Sequence, residues 1–334
     1  MNSLHKNFNI AAHTTFGIEA QTAEFVSVES ITSLKENLRT APKAGLRVLG
    51  GGSNMLWTQD FPGRTIHVNL KGIRRVSETN QSVIIEVQAG ENWHDLVLWT
   101  IENQLAGIEN LALIPGNVGA APIQNIGAYG VELKDVLVQC SVIYRSDLSE
   151  QILSVVDCKL GYRDSIFKNE LRDKVVITAV QFRLKKPPHA PNTAYGSLEQ
   201  ELKGKPKNIE EVAQAVIRIR ERKLPNPKEI GNCGSFFKNP VVSKTKFESL
   251  QNKYPTLPSY PVSEGVKIPA AWLIDQLGYK GLRRGDAGVH PHQALVLVNY
   301  GQASGAEIWA LAEEIQTAVF KKYDILLENE VTRY

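Results

Sequence analysis

The segment that most constrains the fold is residues 110–130, NLALIPGNVGAAPIQNIGAYG. It is too apolar for an ordinary surface loop, yet Pro115, Pro122 and its repeated glycines exclude a long helix or a continuous strand. A buried irregular segment needs partners for its backbone, and free N–H groups beside glycines are one way to hold a phosphate. Two interpretations stay open for this segment alone: a phosphate-binding loop, or a Gly/Ala-rich packing loop between two sheets.

A second glycine-rich turn follows a predicted strand over residues 46–49. It consists of Gly50, Gly51, Gly52, Ser53 and Asn54. Successive amide groups in such a turn can form an anion-binding nest. The turn lacks both the G-x-G-x-x-G spacing and the Gly-Lys-Ser/Thr ending of a P-loop, so neither common nucleotide fingerprint is present. An anion nest and a plain glycine-rich hairpin turn both remain open here.

Length and composition limit the function classes. The chain has 334 residues, of which 43% are hydrophobic, which predicts two or three globular domains with a sizeable core. Its 38 Lys and Arg against 35 Asp and Glu give a net charge of +3 without a clustered basic face, so we do not expect nucleic-acid binding. The three cysteines form no CxxC pair, which argues against a disulfide framework or a metal site and for a reducing compartment. No apolar run approaches a membrane span, and a cytoplasmic protein is predicted.

Periodicity and capping residues predict alternating helices and strands, with a middle region that is mostly β. A long central strand is expected over residues 174–184, because that segment is apolar on nearly both faces. Further strands are predicted over residues 24–28, 46–49, 65–70, 83–89, 137–144, 151–156 and 294–299, with a last one carrying Glu328, Glu330 and Arg333. Helices are predicted to begin at Ser30 or Thr32, Asn92, Asn208, Ala270 and Ser304.

Residues 218–240 combine charge with an unusual turn. Between residues 218 and 238 there are six Lys or Arg and only two Glu. This is typical of a solvated helix end, or it marks a site for anionic groups. The following sequence, GNCGSFFKNP over residues 231–240, predicts a strand beside a tight turn with polar groups facing a pocket.

Several ordered segments together resemble one family, UDP-N-acetylmuramate dehydrogenase, also called UDP-N-acetylenolpyruvoylglucosamine reductase. The segments are LGGGSN (49–54), IPGNVGAAPIQNIGAYG (114–130), GYRDSIFK (161–168), KLPNPK (223–228), GNCGSFFKNP (231–240), AAWLIDQLG (270–278) and LENEV (327–331). They span almost the whole chain in the order of the family. The sequence T-A-Y-G around Tyr195 resembles the subtype in which a Tyr-bearing loop folds over the substrate.

The resemblance implies an α+β fold, with a two-part FAD-binding region of the vanillyl-alcohol-oxidase/PCMH type and a third α+β domain that binds substrate. The implied boundaries are residues 1–70 with 325–334 for the first FAD-binding piece, 71–218 for the second piece and 219–324 for the substrate domain. It also implies noncovalent FAD, NADPH as co-substrate, and reduction of the enolpyruvyl group of UDP-N-acetylglucosamine-enolpyruvate. We expect a cytoplasmic monomer that makes a peptidoglycan precursor and so serves cell wall biogenesis, cell shape and cell division.

The resemblance assigns roles to individual residues. Ser235 matches the acid that protonates the substrate carbon, while Arg163 and Glu330 match the groups that stabilise the negatively charged intermediate. The implied cofactor-binding residues are Gly50, Gly51, Gly52, Ser53, Asn54, Pro115, Gly116, Gly119, Ile126, Gly127, Gly130 and Arg220. The implied substrate-binding residues are Tyr195, Lys223, Asn239 and Gln293.

Two other functions are compatible with parts of the sequence. One is an FAD-dependent oxidase or dehydrogenase of the same superfamily that acts on another sugar or alcohol. The other is a nucleotide-binding protein without catalysis, which needs the glycine segments but not Ser235, Arg163 and Glu330 together. Cys233 stands where the family commonly has alanine, and we interpret it as a small buried residue rather than a nucleophile.

Overall fold

The computed structural model describes residues 3–334, and the chain forms two compact units. The first unit consists of the described residues up to Phe8 together with residues 22–52 and 61–222. The second consists of residues 9–21, 53–60 and 223–334. The three-part domain division implied by the family resemblance stays a prediction.

A small, partly parallel sheet and one helix open the chain. The elements are β1 (His5–Asn9), β2 (Gln21–Val28), α1 (Ile31–Arg39), β3 (Leu46–Leu49), β4 (Met55–Leu56) and β5 (Phe61–Val68). The sheet order is β1-β2-β5-β3, with β2 and β3 each parallel to β5. Ser30 caps α1, as predicted, because its side chain accepts a hydrogen bond from the N–H of Ser33, and Leu34 and Leu38 face the core.

An antiparallel sheet dominates the middle of the chain, as predicted. The elements are β6 (Ile73–Glu78), β7 (Ser82–Gln88), α2 (Trp93–Glu102), β8 (Gly127–Ala128), β9 (Val131–Glu132), β10 (Leu137–Tyr144), β11 (Glu150–Ser154), β12 (Val175–Lys185), α3 (Gly196–Glu201) and α4 (Ile209–Lys223). The order β11-β10-β12-β7-β6 places β12 at the centre. Burial on both faces explains its continuous apolar sequence. The α4 helix begins at the predicted cap, where Asn208 Oδ1 accepts from the N–H of Glu211 at 2.8 Å.

The last third of the chain contains several short strands and the longest helix. The elements are β13 (Gly231–Ser235), β14 (Val241–Val242), α5 (Lys244–Lys253), β15 (Tyr260–Val262), β16 (Gly265–Lys267), α6 (Ala270–Asp275), β17 (Arg283–Arg284), β18 (Ala287–Val289), β19 (Val296–Asn299), α7 (Gly305–Tyr323) and β20 (Thr332–Arg333). The strands form the sheets β13-β19-β18-β17 and β14-β16-β15 and the pair β20-β4. The predicted capping box of α7 is confirmed by reciprocal bonds between Ser304 and Glu307.

The predicted final strand through Glu328 and Glu330 is too long. Residues 328–330 form a single antiparallel bridge, between Phe237 and Asn329, and the regular strand is only β20. The regular strand does not extend to Glu330, because the side chain of Asn54, rather than a neighbouring strand, satisfies the carbonyl of Glu330. Asn54 Nδ2 lies 3.0 Å from that oxygen.

Residues 110–130 form neither a long helix nor a continuous strand, as predicted. The segment contains the end of one 3-10 helix, Glu109–Leu111, and a second, Val118–Gln124. Leu113, Asn125 and Tyr129 have positive φ although none is glycine. Among residues 3–334, no helix combines the length and the apolar character needed to cross a membrane.

Candidate functional site

The two glycine segments of the first unit are in direct contact. A Cβ added to Gly51 would lie 2.7 Å from Gly116 Cα and 2.8 Å from Asn117 Oδ1, so no larger residue fits without moving backbone. Gly50 lies nearby, where an added Cβ would make ordinary contacts of 3.8 Å and longer. Gly52 is buried and has a φ of +61°. The sequence separated these turns by more than sixty residues, and the fold brings them together.

Backbone hydrogen bonds fix the part of the loop that contacts Gly51. Gly116 accepts from the N–H of Trp93 and Gly119 donates to the carbonyl of Ala89, both at 2.9 Å. A Cβ on Gly119 would lie 2.6 Å from the Ala89 Cβ. Pro115 precedes Gly116 at an exposed position. Within the described part of the chain, the N–H groups of Gly116 and Asn117 have no acceptor, so they are available to a ligand.

Asn125 holds the far end of the loop. Its buried side chain accepts from the N–H of Lys134 at 3.0 Å and donates to the carbonyl of Gly161 at 2.9 Å. The adjacent Ile126 packs into the core of the first unit. Gly127 begins β8, which continues towards Gly130 at the following turn.

Arg163 is held against this loop. Its Nη2 donates to the Gly127 carbonyl at 2.6 Å, and its Nη1 lies 3.4 Å from the carbonyl oxygen of Asn125. The residue has a φ of +53°, an unfavourable conformation for a side chain with a Cβ. The two carbonyl contacts fix the guanidinium before any ligand is bound.

Arg220 lies in the same unit, close to Arg163. Its Nε donates to the carbonyl of Leu113 at 3.2 Å, and no carboxylate among the described residues pairs with it. Burial lowers the pKa of Arg220, and the positive charge of Arg163 contributes in the same direction. Burial also raises the pKa of Tyr129, an effect that the Arg220 charge opposes. A half-buried cation without a counterion among the described residues favours an anionic ligand at this place.

Tyr195 stands at the N-terminal end of α3, about half exposed at 51%. Its ring meets that of Tyr129 edge-on, with 5.5 Å between the centroids. Asn110 is fully buried and its Nδ2 donates to the carbonyls of Tyr129 at 2.9 Å and Asn192 at 2.8 Å. Asn192 in turn donates to the carbonyl of Gly130 at 3.0 Å. The segment that leads to Tyr195 is therefore tied to the end of the glycine-rich loop.

Ser235 and Glu330 lie on neighbouring backbones of the second unit. Ser235 ends β13 opposite Val296 of β19. The next residue, Phe236, accepts from the N–H of Glu330 at 2.8 Å. The carbonyl of Glu330 is held by Asn54, which with Ser53 completes the glycine-rich turn and belongs to this unit.

The backbone before Ser235 is shaped by two residues. Gly234 has a φ of +73°, which glycine adopts without penalty. Its N–H donates to the side chain of Asn232 at 3.0 Å, and Asn232 is itself buried. The ladder between β13 and β19 shifts register between Asn232 and Ser235. Such a bulge turns a side chain away from the direction that a regular strand would give it.

Cys233 does not have the properties of a nucleophile. The side chain is buried, and burial raises its pKa well above the usual range. The charge of Glu330 adds to this effect. The protonated thiol matches the interpretation of Cys233 as a small buried residue.

The three remaining substrate-binding candidates also lie in the second unit. Gln293 stands in the turn before β19, where its Oε1 accepts from the N–H of Leu295 at 3.4 Å. The N–H of Phe236, the residue after Ser235, donates to the carbonyl of the same Leu295 at 2.7 Å. Asn239 accepts from the N–H of Ala270 at 2.9 Å and so holds the start of α6. Lys223 is exposed at the C-terminal end of α4.

Three residues near the site were not identified from the sequence: His94, Asn110 and Tyr129. Each acts through contacts with residues far along the chain. His94 Nδ1 lies 3.0 Å from the amide nitrogen of Leu113, and Asn110 donates to Tyr129 and Asn192. Asn110 and Tyr129 are polar residues inside the apolar segment 110–130, and this position is the sequence signal that could have identified them. Nothing comparable marked His94.

Comparison with known proteins gives matches along nearly the whole chain. Residues 22–147 match a family profile described as an FAD binding domain. Residues 226–334 match the C-terminal domain of UDP-N-acetylenolpyruvoylglucosamine reductase. The chain is 49% identical over 335 residues to a protein of that name from Flavobacterium johnsoniae, covering 98% of each chain. It is 46% identical over 334 residues to the one from Amoebophilus asiaticus, with the same coverage.

A solved structure is similar in fold as well. The UDP-N-acetylenolpyruvylglucosamine reductase of Thermus caldophilus superposes with a TM-score of 0.69 at 26% sequence identity. The match covers 100% of this chain and 99% of the other. Together with the FAD-binding profile, it confirms the predicted α+β fold with an FAD-binding region.

Proposed function

The chain belongs to the UDP-N-acetylenolpyruvoylglucosamine reductase family, and we propose that it reduces the enolpyruvyl group of UDP-N-acetylglucosamine-enolpyruvate to give UDP-N-acetylmuramate. It is an FAD-containing oxidoreductase of peptidoglycan precursor synthesis. The observation that carries the proposal is the full-length similarity to reductases of this name. NADPH is the proposed source of the electrons.

The first unit fits FAD. Gly51 approaches Gly116 so closely that the backbone of Gly116 occupies the place of a side chain on Gly51. The N–H groups of Gly116 and Asn117 have no acceptor in the described part of the chain. Backbone amides of this kind suit a diphosphate. The proposed FAD-binding residues of this unit are Gly50, Gly51, Gly52, Pro115, Gly116, Gly119, Ile126, Gly127, Gly130 and Arg220. Ser53 and Asn54, the last two residues of the glycine-rich turn, complete the proposed set.

When bound, FAD supplies hydride transfer from NADPH to the enolpyruvyl double bond. Addition of hydride to the β-carbon leaves negative charge on the α-carbon and the adjacent carboxylate. Fixed cations and donors lower the free energy of such a transition state, because they need no reorganisation as charge develops. We assign this task to Arg163, whose guanidinium is already oriented by the carbonyls of Asn125 and Gly127.

The α-carbon then requires a proton from a positioned acid. We assign the proton donor as the hydroxyl of Ser235. Support comes from the bulge that precedes Ser235 and from the antiparallel contact of the next residue with Glu330. Glu330 is proposed to stabilise the intermediate.

Four side chains are proposed to take part in substrate recognition. In the first unit, Tyr195 is exposed and anchored beside Tyr129. In the second unit, Lys223, Asn239 and Gln293 offer one cation and two amides for the diphosphate and sugar. We further propose that the protein acts in the cytoplasm as a monomer. Its three buried free cysteines suit a reducing compartment, and light scattering in solution is expected to give the mass of one chain.

Two measurements test the proposal. The purified protein should be yellow and should release close to one equivalent of FAD on denaturation. Incubation with NADPH and UDP-N-acetylglucosamine-enolpyruvate should yield a product heavier by two hydrogens, detected by mass spectrometry. A colourless protein that takes up no added FAD would contradict the cofactor assignment. A flavoprotein that leaves this substrate unchanged would contradict the substrate assignment alone.

A further inference from the structure

Leu113 is clamped between two helices of the first unit. Its N–H donates to Nδ1 of His94 on α2 at 3.0 Å, and its carbonyl accepts from Nε of Arg220 on α4 at 3.2 Å. The residue has a φ of +58°, a conformation that a side chain with a Cβ adopts only at a cost. It lies directly before residues 114–130, the glycine-rich loop of the first unit. Two side chains therefore maintain a strained peptide where this loop begins.

The contact with Leu113 fixes the proton on His94. An amide N–H can donate only to an unprotonated ring nitrogen, so Nδ1 carries no proton and the neutral ring has its proton on Nε2. An imidazolium has no acceptor and would lose the bond. The backbone of His94 is fixed, because it is the second residue of α2 and its N–H donates to the Asn92 cap at 2.8 Å.

Two charged groups face His94. Asp95 follows it on the same helix, and Arg220 reaches it from α4. Burial lowers the pKa of His94 and the Arg220 charge acts in the same direction, while Asp95 opposes both. The ring is therefore neutral at pH 7.5. Protonation would remove the acceptor for Leu113 and place a second positive charge near Arg220.

We propose that neutral His94 is a positioning residue for FAD: its bond to Leu113 holds the peptide whose carbonyl orients Arg220 and whose continuation is the glycine-rich loop. The inference rests on the proposed function, since it assigns FAD to that loop and to Arg220. FAD binding then requires the unprotonated ring, so FAD binding and protonation of His94 oppose each other. Because the pKa of His94 is lowered, affinity for FAD is complete at the ordinary histidine pKa and above it, and declines only as the pH falls below that value.

The test compares FAD release from four holoenzymes at pH 7.5 and pH 5.5, followed by the fluorescence of free FAD after dilution. The wild type should bind FAD about twofold or more weakly at pH 5.5 than at pH 7.5, because the His94 ring can be protonated there. His94→Asn keeps an acceptor near the position of Nδ1 but cannot titrate, so it should bind nearly as the wild type at pH 7.5 and lose most of the acid effect. His94→Phe should bind about tenfold more weakly at both pH values. His189→Asn, which changes a histidine that contacts the Gln104 carbonyl at 3.1 Å, should keep the wild-type acid effect.

Two results would overturn the positioning role: an undiminished acid effect in His94→Asn, or wild-type FAD affinity in His94→Phe at pH 7.5. Circular dichroism checks that His94→Phe is folded. If His94→Phe is not folded, the acid effect of the wild type compared with that of His94→Asn tests the positioning role without it. A wild type without FAD at pH 7.5 would instead refute the proposed function, and this inference with it.

Discussion

At the scale of single residues, the proposed chemistry depends on groups that are fixed by backbone. Arg163 is oriented by two carbonyls, and Ser235 is set by the bulge that follows Asn232. Glu330 is held at both its N–H and its carbonyl, by Phe236 and Asn54. Preorganised groups of this kind lower a transition state more than mobile ones do, because their orientation is set during folding.

Replacement of Ser235 by alanine should separate the two half-reactions. Ser235→Ala should leave the bleaching of the flavin absorbance by NADPH nearly unchanged. It should slow the return of absorbance on addition of the enolpyruvyl substrate by at least about 10²-fold, because only that step needs a proton on carbon. Rapid-mixing spectroscopy without oxygen measures both rates.

A matched control for this variant is Ser243→Ala. Ser243 caps α5 in the same unit by accepting from the N–H of Lys246 at 3.2 Å. Its loss should reduce stability by about 1 kcal/mol and spare both half-reactions. Equal slowing of both half-reactions by Ser235→Ala would mean that the hydroxyl organises the site and does not donate the proton.

At the scale of elements, the glycine-rich loop combines irregular backbone with fixed ends. Asn125 holds its end, and Trp93 and Ala89 hold its middle through backbone bonds. The close contact with Gly51 is the part of this element that a side chain would destroy. Glycine is needed at that position for close approach and not for an unusual φ.

Gly51→Ala should weaken FAD binding. The added methyl group would lie 2.7 Å from Gly116 Cα, so the backbone of one turn must move, at a cost of about 1–3 kcal/mol. Equilibrium titration with FAD measures the loss. Gly196→Ala is the control, since its added Cβ meets no atom within 4 Å and should leave affinity unchanged. Wild-type affinity in Gly51→Ala would refute the role of this contact.

The α3 and α4 helices are joined by ion pairs between Glu201 and two arginines. Arg222 and Arg218 donate to Glu201 and lower its pKa from 4.5 to about 2. A lowered carboxyl pKa stabilises the fold above the ordinary value and loses that contribution as the pH falls towards 2. Glu201→Gln should therefore lower the free energy of unfolding at pH 7 by roughly 1 kcal/mol or less, since the arginines are partly exposed.

Chemical denaturation at pH 7 and at acidic pH measures this difference between Glu201→Gln and the wild type. The difference should shrink as the pH falls from 4.5 towards 2. High salt should also reduce it. A difference that grows on acidification would contradict the assignment to these ion pairs.

Elements with strong periodicity or clear caps could be predicted from the sequence, whereas short strands could not. The central strand β12 is apolar on both faces, and α7 has its capping box, so both were identified. Strands β15 to β18 have two or three residues each and exist only through pairing with distant partners. The same limit applies to the site. Motifs pointed to Ser235 and Arg163, but His94 acts through a backbone amide that no local pattern reveals.

At the scale of the whole molecule, the two units contribute different proposed tasks. The first contains the paired glycine turns, Arg163 and Arg220, and the second contains Ser235 and Glu330. The division by task follows from local structure, because a nest of free amides needs irregular backbone whereas the proposed acid sits at the end of a strand.

The most direct test of the central claim is an anaerobic two-step rapid-mixing experiment on the wild-type holoenzyme. NADPH should bleach the flavin absorbance in the first step. UDP-N-acetylglucosamine-enolpyruvate should then restore the absorbance without oxygen, with formation of one equivalent of UDP-N-acetylmuramate. Absorbance that stays bleached after addition of this substrate, and returns only when oxygen is admitted, would contradict the claim.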